Sequence, residues 1–232
     1  MLNDRDGFHF GINNYVPAMQ YSSALTHDGA AAFDLGTPAL GAATGILAAT
    51  AGNTANGTKT AIGVYTDATY GRGIIVTPSA DPGAGGLIVD VRGRDYLGQP
   101  MLARITIAAG GAVAVASKKA FKYVESVTIV DNATNAITFT IGQTDELGMP
   151  YKGYPAWAKE NGAHVAKATV EGTFTQGDLT DPQTATDDDP RGTYNPTTAL
   201  DGVKRIIIGL IPDNSVNSSN NGGLHGLQHY YA

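Results

Sequence analysis

The stretch LIVDVRGRDYLGQPMLARITI, residues 87–107, decides the fold class of this 232-residue chain. Apolar residues take every second position near both of its ends: Leu87, Val89, Val91, Ile105 and Ile107. Because successive side chains of a strand point to opposite faces, this period of two predicts two strands, each with one face in a core and one in water. The turn-forming residues between them, 93–100, predict a hairpin connection and therefore antiparallel pairing.

Similar short runs recur on both sides of this hairpin, at residues 72–77, 121–130, 137–141, 164–175 and 203–211. In the last run, the central Ile206–Ile208 indicates burial on both faces. The stretch 147–161, which holds Pro150, Pro155 and the only tryptophan, predicts an irregular crossing loop. Only 16% of residues are charged and 30 are glycine, a composition that disfavours long helices. We therefore predict an all-β fold, an antiparallel β-sandwich of jelly-roll type.

The two ends of the chain lack such patterns. Residues 1–60 show no sustained period, and glycine recurs too often between Gly29 and Gly57 for a stable helix. We predict an extended N-terminal arm at 1–60, a β-sandwich domain at 61–211 and a flexible C-terminal tail at 212–232. Aromatic residues of these ends are predicted to bind neighbouring subunits: Phe8, Phe10, Tyr15, Tyr21, Phe33, Tyr230 and Tyr231.

Charge and cysteine content argue against several classes of function. The net charge is −6, so the basic surface on which nucleic-acid affinity depends is not available in bulk, and we expect no nucleic-acid partner. The absence of cysteine excludes disulfides and thiolate zinc ligands. The sequence has no apolar run of about 18 residues and no signal-peptide pattern at its start, so we expect a soluble chain without a membrane partner.

Two motifs resemble ligand sites but fit them poorly. The glycine-rich segment 52–60 is similar to a P-loop, yet Lys59 does not directly follow the second glycine, so a flexible linker is the better interpretation. His225 and His229 have the i, i+4 spacing of zinc ligands on a helix, but neighbouring glycines disfavour a helix and no third ligand is evident. No G-x-S-x-G or other catalytic motif occurs. We predict no metal, no cofactor and no enzymatic activity.

Two further patterns have more than one interpretation. The acidic loop 177–195 could collect a calcium ion, or it could be a solvated loop that keeps strand edges from pairing. The second interpretation is favoured because the aspartates lack the spacing of a calcium-binding loop. The pattern D-x-L-G-x-P occurs at 95–100 and at 145–150. It indicates repeated turn chemistry or, less favoured, a structural repeat.

Several segments together resemble small structural proteins from the head gene cluster of tailed bacteriophages. They are RGIIVT at 72–77, GRDYLGQP at 93–100, KAFKYV at 119–124, LGMPY at 147–151, DPRGTY at 189–194 and LDG at 200–202. These are strand and turn patterns spread over about two-thirds of the chain. The resemblance is to head decoration, or cement, proteins.

This resemblance implies a function and a location. A decoration protein forms a β-sandwich or jelly roll on the outer capsid surface, binds the major capsid protein, self-associates as a homodimer or homotrimer, and is made in the cytoplasm of the host bacterium. The alternative is a tail or receptor-binding virion protein that binds carbohydrate. In that alternative, exposed aromatic residues would stack on sugar rings: Tyr96, Tyr154, Trp157, Tyr230 or Tyr231.

Overall fold

The computed structural model describes residues 30–178 and 181–212. In chain order its elements are β1 (Ala31–Gly36), β2 (Leu47–Ala51), β3 (Lys59–Tyr65), β4 (Arg72–Pro78), β5 (Leu87–Arg94), β6 (Pro100–Ile107), β7 (Val115–Phe121), β8 (Tyr123–Asp131), β9 (Thr138–Gly148), β10 (Gly153–Glu160), β11 (Ala163–Val165), α1 (Lys167–Thr173), β12 (Phe174–Gln176), β13 (Gly192–Tyr194) and β14 (Ile206–Pro212). Strands account for 51% of the described residues and helix for 4%, which confirms the all-β prediction.

The strands form three sheets, and the pairings within them are antiparallel. Sheet A has the order β1-β14-β10-β11. Sheet B has the order β12-β13-β9-β4-β7, and β2 also pairs with β9. Sheet C has the order β3-β8-β5-β6. The hairpin predicted at 87–107 is the β5–β6 pair, in which Leu87 lies opposite Ile107 and Val89 opposite Ile105.

Sheets B and C share the larger of two apolar cores. Sheet B contributes residues such as Ile74, Val76, Phe139 and Ile141, and sheet C contributes Val89, Val91, Ile105 and Val127. The side chains that the period of two assigned to the core are at most 2% exposed: Leu87, Val89, Val91, Ile105 and Ile107. Two sheets that face each other across one core form the sandwich that the alternation predicts.

A second core lies between sheet A, helix α1 and the ends of β9 and β13. Its members include Phe33, Leu147, Met149, Tyr151, Val170, Tyr194, Ile206, Ile208 and Leu210. Ile206 and Ile208 are buried here, but Ile207 is partly exposed, so burial of this run on both faces is not what the structure shows.

The crossing loop predicted at 147–161 is instead largely strand β10, Gly153–Glu160. Proline lacks the backbone N–H that hydrogen bonding between strands needs, so Pro155 favours a loop over a strand when the sequence alone is considered. The register between β10 and β14 shifts between Pro155 and Trp157, so the proline sits at a bulge where the ladder is already irregular.

The described part of the predicted N-terminal arm belongs to the body of the protein. Residues 31–36 pair with β14 and residues 47–51 pair with β9, and Leu35 is only 1% exposed. The intervening segment runs close along β9, because a Cβ at Gly142 would lie 2.1 Å from the carbonyl oxygen of Ala42. The predicted boundary at residue 60 therefore differs from the structure. Small residues, which suggested an arm, allow this close backbone contact.

Candidate interaction surface

Both ends of the described body lie side by side at one end of sheet A. Strands β1 and β14 are antiparallel neighbours, and Ala31, the first residue of β1, lies opposite Leu210 near the end of β14. The chain therefore enters β1 at the same end of the sheet at which it leaves β14. Residues 1–29 and 213–232 join the body there.

Most of the predicted interface residues belong to those terminal segments. Phe8, Phe10, Tyr15, Tyr21, Tyr230 and Tyr231 lie outside the described residues. Phe33 lies in β1, is 8% exposed and makes edge contacts with the rings of Tyr151 at 4.9 Å and Tyr70 at 6.2 Å. Its side chain belongs to the second core of its own chain, which corrects the expectation that it lies along a neighbouring subunit.

The outer face of sheet A carries a partly exposed apolar patch. Ile207 and Ile211 alternate with the core residues of β14 and therefore face outward. Between them, the indole of Trp157 lies on Gly209, where a Cβ would be 2.5 Å from the ring. Tyr154, opposite Ile211, is 48% exposed. We call Tyr154, Trp157, Ile207 and Ile211 the sheet A patch.

The acidic loop is docked on the sandwich instead of standing free in solvent. The amino group of Lys119 is buried and donates to the carbonyl oxygens of Leu102, Pro182 and Thr184 at 2.6–2.9 Å. Burial lowers the pKa of this lysine. The Leu102 N–H donates to Pro182 and the Arg104 N–H to Ala185, so the loop covers the outer edge of β6. The loop was expected to keep a strand edge from pairing, and it does protect the edge of β6. It does so by hydrogen bonding to that edge, and not by standing in solvent as a charged loop.

The far end of the same loop is held by backbone hydrogen bonds to Asp189 and by a buried ion pair between Arg191 and Asp95. Asp189 accepts hydrogen bonds from the backbone N–H groups of Ala120, Arg191 and Gly192 at 2.9–3.1 Å. The guanidinium of Arg191 donates to Asp95 at 2.7 Å, and these two side chains are 1% and 0% exposed. Arg191 also donates to the Met149 carbonyl and lies 4.8 Å from the ring centre of Tyr96.

The two D-x-L-G-x-P segments have different structures. Asp95 caps a turn by accepting the N–H groups of Leu97 and Gln99, as turn chemistry predicts. Asp145 lies within strand β9 and instead accepts from Gly41, Leu200 and the buried Arg72. The turn interpretation therefore holds for the first segment only.

Arg72 is a second buried arginine, and the sequence did not predict its burial or its many hydrogen bonds. It is 1% exposed and donates to Asp67, Gln143, Asp145 and the carbonyl oxygens of Ala39 and Thr144. In the sequence, Arg72 appears only as a charged residue at the start of a predicted strand. The segments that resemble phage head proteins contain both Arg72 and Arg191, but the resemblance implies no role for either residue.

The described residues contain no recognisable metal or phosphate site. No group of three or more His, Asp or Glu side chains within 30–178 and 181–212 is placed to hold a metal ion. Residues 52–58 form turns between β2 and β3, with no helix after them to bind a phosphate. His225 and His229 lie outside the described ranges. Over the same ranges, no helix has the length and apolar character needed to cross a membrane.

A groove of about 540 Å³ lies beside β11, and some of the polar residues that line it bind one another. Glu160 accepts hydrogen bonds from the hydroxyl of Tyr194 and from the N–H and hydroxyl of Thr197. The Lys204 amino group donates to Thr198 and to the Ala199 carbonyl. These contacts hold the 194–204 segment in place.

The protein is an all-β antiparallel sandwich with a second core, and the outer face of sheet A carries an apolar patch. The sequence matches no protein-family model, and the comparison with curated proteins returns no match. Because one fold hosts many functions, the function has to be argued from the surfaces themselves.

Proposed function

We propose that this chain is a head decoration protein of a tailed bacteriophage, which binds the major capsid protein and self-associates as a homodimer or homotrimer. The observation that supports this best is that the chain enters β1 and leaves β14 at the same end of sheet A, beside the sheet A patch. A subunit held on a lattice needs many modest contacts, since symmetry and effective concentration multiply them. Two segments that leave one end of a rigid body suit contacts to two neighbours.

In this proposal the terminal aromatics supply the contacts and the sandwich supplies the rigid body. Phe8, Phe10, Tyr15 and Tyr21 lie in the first segment, and Tyr230 and Tyr231 lie in the second. Burial of several of these aromatic side chains on a partner would supply binding energy. The subunit would sit on the outer capsid surface.

The copy number in purified virions tests this function. We expect a density map of the intact particle to show the subunit at a copy number equal to, or a simple fraction of, that of the major capsid protein. A handful of copies per particle would place it in the tail or neck and would contradict the proposal. A variant lacking residues 1–29 should bind heads more weakly than the full chain.

The sheet A patch also favours a second candidate, a carbohydrate-binding virion protein. Tyr154 and Trp157 lie on the same face of one sheet, where aromatic rings can stack on sugars. Tyr96 does not fit this role, because its ring contacts Arg191 and Tyr70 and its hydroxyl donates to Pro150. Glycan-array binding that is lost in Tyr154→Ala would favour this candidate over capsid decoration.

A further inference from the structure

A second groove of about 540 Å³ crosses the outer face of sheet B, on the side away from the sandwich core. Its lining includes the aliphatic side chains of Leu40, Ile75 and Ala116 and the polar side chains of Thr144, Glu146 and Asn195. Leu40, on its rim, is 59% exposed. The groove therefore combines an apolar wall with the carboxyl groups of Asp145 and Glu146.

The floor of the groove is shaped to hold the Glu146 side chain. Thr144 and Glu146 are two residues apart on β9 and lie together over Gly73 of β4. A Cβ at Gly73 would be 2.4 Å from the Thr144 hydroxyl oxygen and 3.2 Å from Oε2 of Glu146. Glycine at this position therefore makes the space that the carboxyl group occupies.

Among the residues that the structure describes, Glu146 has no cationic partner, in contrast to Asp145 and Asp188. Asp145 pairs with Arg72 at 3.0 Å, and Asp188 pairs with Lys118 at 2.9 Å. Within the described ranges Glu146 has no ion pair; its Oε1 accepts a 2.5 Å hydrogen bond from the Thr193 hydroxyl. Burial raises the pKa of Glu146, and the charges of Asp189 and Asp188 raise it further. A cation at this carboxyl group would offset the cost of burying it.

We propose that this groove binds a lysine side chain of a partner protein, with its ammonium group at Oε2 of Glu146 and its methylene groups against Ile75 and Leu40. Lysine fits better than arginine, because a guanidinium prefers two carboxylate oxygens and Thr193 already occupies one of them. The aliphatic wall suits the four-carbon stem of lysine. A hard metal ion would need several oxygen ligands. Within the described ranges the second carboxylate of the groove, Asp145, is already bound by Gly41, Arg72 and Leu200.

The test uses Nα-acetyl-lysine methylamide as a probe on the full chain, followed by amide chemical shifts. We expect saturable shifts at residues around 40, 75, 116 and 146, with a Kd in about the millimolar range. The norleucine analogue, which keeps the stem and lacks the charge, should bind at least about tenfold more weakly.

Two variants make the result specific. Glu146→Gln keeps an acceptor for Thr193 but removes the charge, and should weaken lysine binding about tenfold or more. Glu125→Gln removes a carboxylate that pairs with Arg94 on sheet C and should leave binding unchanged. Equal binding of the norleucine analogue, full binding by folded Glu146→Gln, or no saturable shift would each overturn the proposal. None of these results would affect the copy-number test, because the probe experiment contains no capsid.

Discussion

Replacing Arg191 by Met tests whether the buried ion pair organises the region where the acidic loop meets both cores. Arg191 is 1% exposed and donates to Asp95 at 2.7 Å and to the Met149 carbonyl at 3.1 Å. Methionine has a similar volume but no charge and no donor. The substitution therefore leaves the Asp95 carboxylate, which is 0% exposed, without its cation.

We expect Arg191→Met to lower the free energy of unfolding by about 3–5 kcal/mol, the usual cost of removing one partner of a buried pair. For a chain of this size, each kcal/mol lowers Tm by about 2–4 °C, so the melting temperature should fall by about 6–20 °C. Arg205→Met is the matched control, because Arg205 pairs with Asp34 at 2.7 Å but its side chain is 59% exposed. The control should change the free energy of unfolding much less than Arg191→Met does, because an exposed ion pair contributes little to stability.

Urea unfolding of four proteins measures this: the unchanged chain, Arg191→Met, Asp95→Asn and the double variant. Once one partner has gone, removing the second should cost less, so the double variant should be at least about 1 kcal/mol more stable than additivity predicts. The reasoning is refuted if Arg191→Met costs no more than Arg205→Met, or if the two single losses simply add.

Three further outcomes are expected. Lys119→Met leaves the carbonyls of Leu102, Pro182 and Thr184 without the Lys119 donor. It should lower the free energy of unfolding by about 2–3 kcal/mol and speed proteolysis within 181–188. Unchanged cleavage would contradict the docking of the loop. Gly209→Ala places a Cβ 2.5 Å from the Trp157 ring, so it should lower the free energy of unfolding by about 1–3 kcal/mol and alter tryptophan emission. In the control Gly111→Ala the new Cβ meets only Val113, at 3.8 Å, and neither change is expected. Burial raises the pKa of Tyr96 from 10.0 to about 12, so the stability that its protonated hydroxyl contributes is complete below pH 10 and lost as pH rises towards 12; Tyr96→Phe should flatten this decline in alkaline urea titrations.

The sequence predicts the sandwich well because its strands obey a strict local rule. Residues such as Val89, Val91 and Ile105 alternate with polar residues, and a period of two follows directly from strand geometry. The second core was harder to predict, since β1 and β14 are 170 residues apart and pair through short runs. The segment around Ala42 consists of small residues with no period, and only its contact with Gly142 reveals its place.

The polar interior was the least predictable part, because a charged residue in a sequence is normally exposed. Arg72, Lys119 and Arg191 are each 1% exposed, and each has partners that are distant in the sequence. Whether such a residue is buried depends on partners that meet only in the folded chain. For the same reason the sequence does not distinguish Glu146 from other acidic residues, since the space at Gly73 and the hydrogen bond from Thr193 exist only in the fold.

Strand β9 connects these features physically. Ile141 on β9 packs in the first core and Leu147 packs in the second, and Glu146 lies between them along the strand. Arg72 holds this stretch by its bonds to residues 143–145. A charge bound at Glu146 would therefore act on a strand that both cores fix in place, so little ordering cost would accompany binding. The groove on sheet B would thus contribute to affinity through preorganisation.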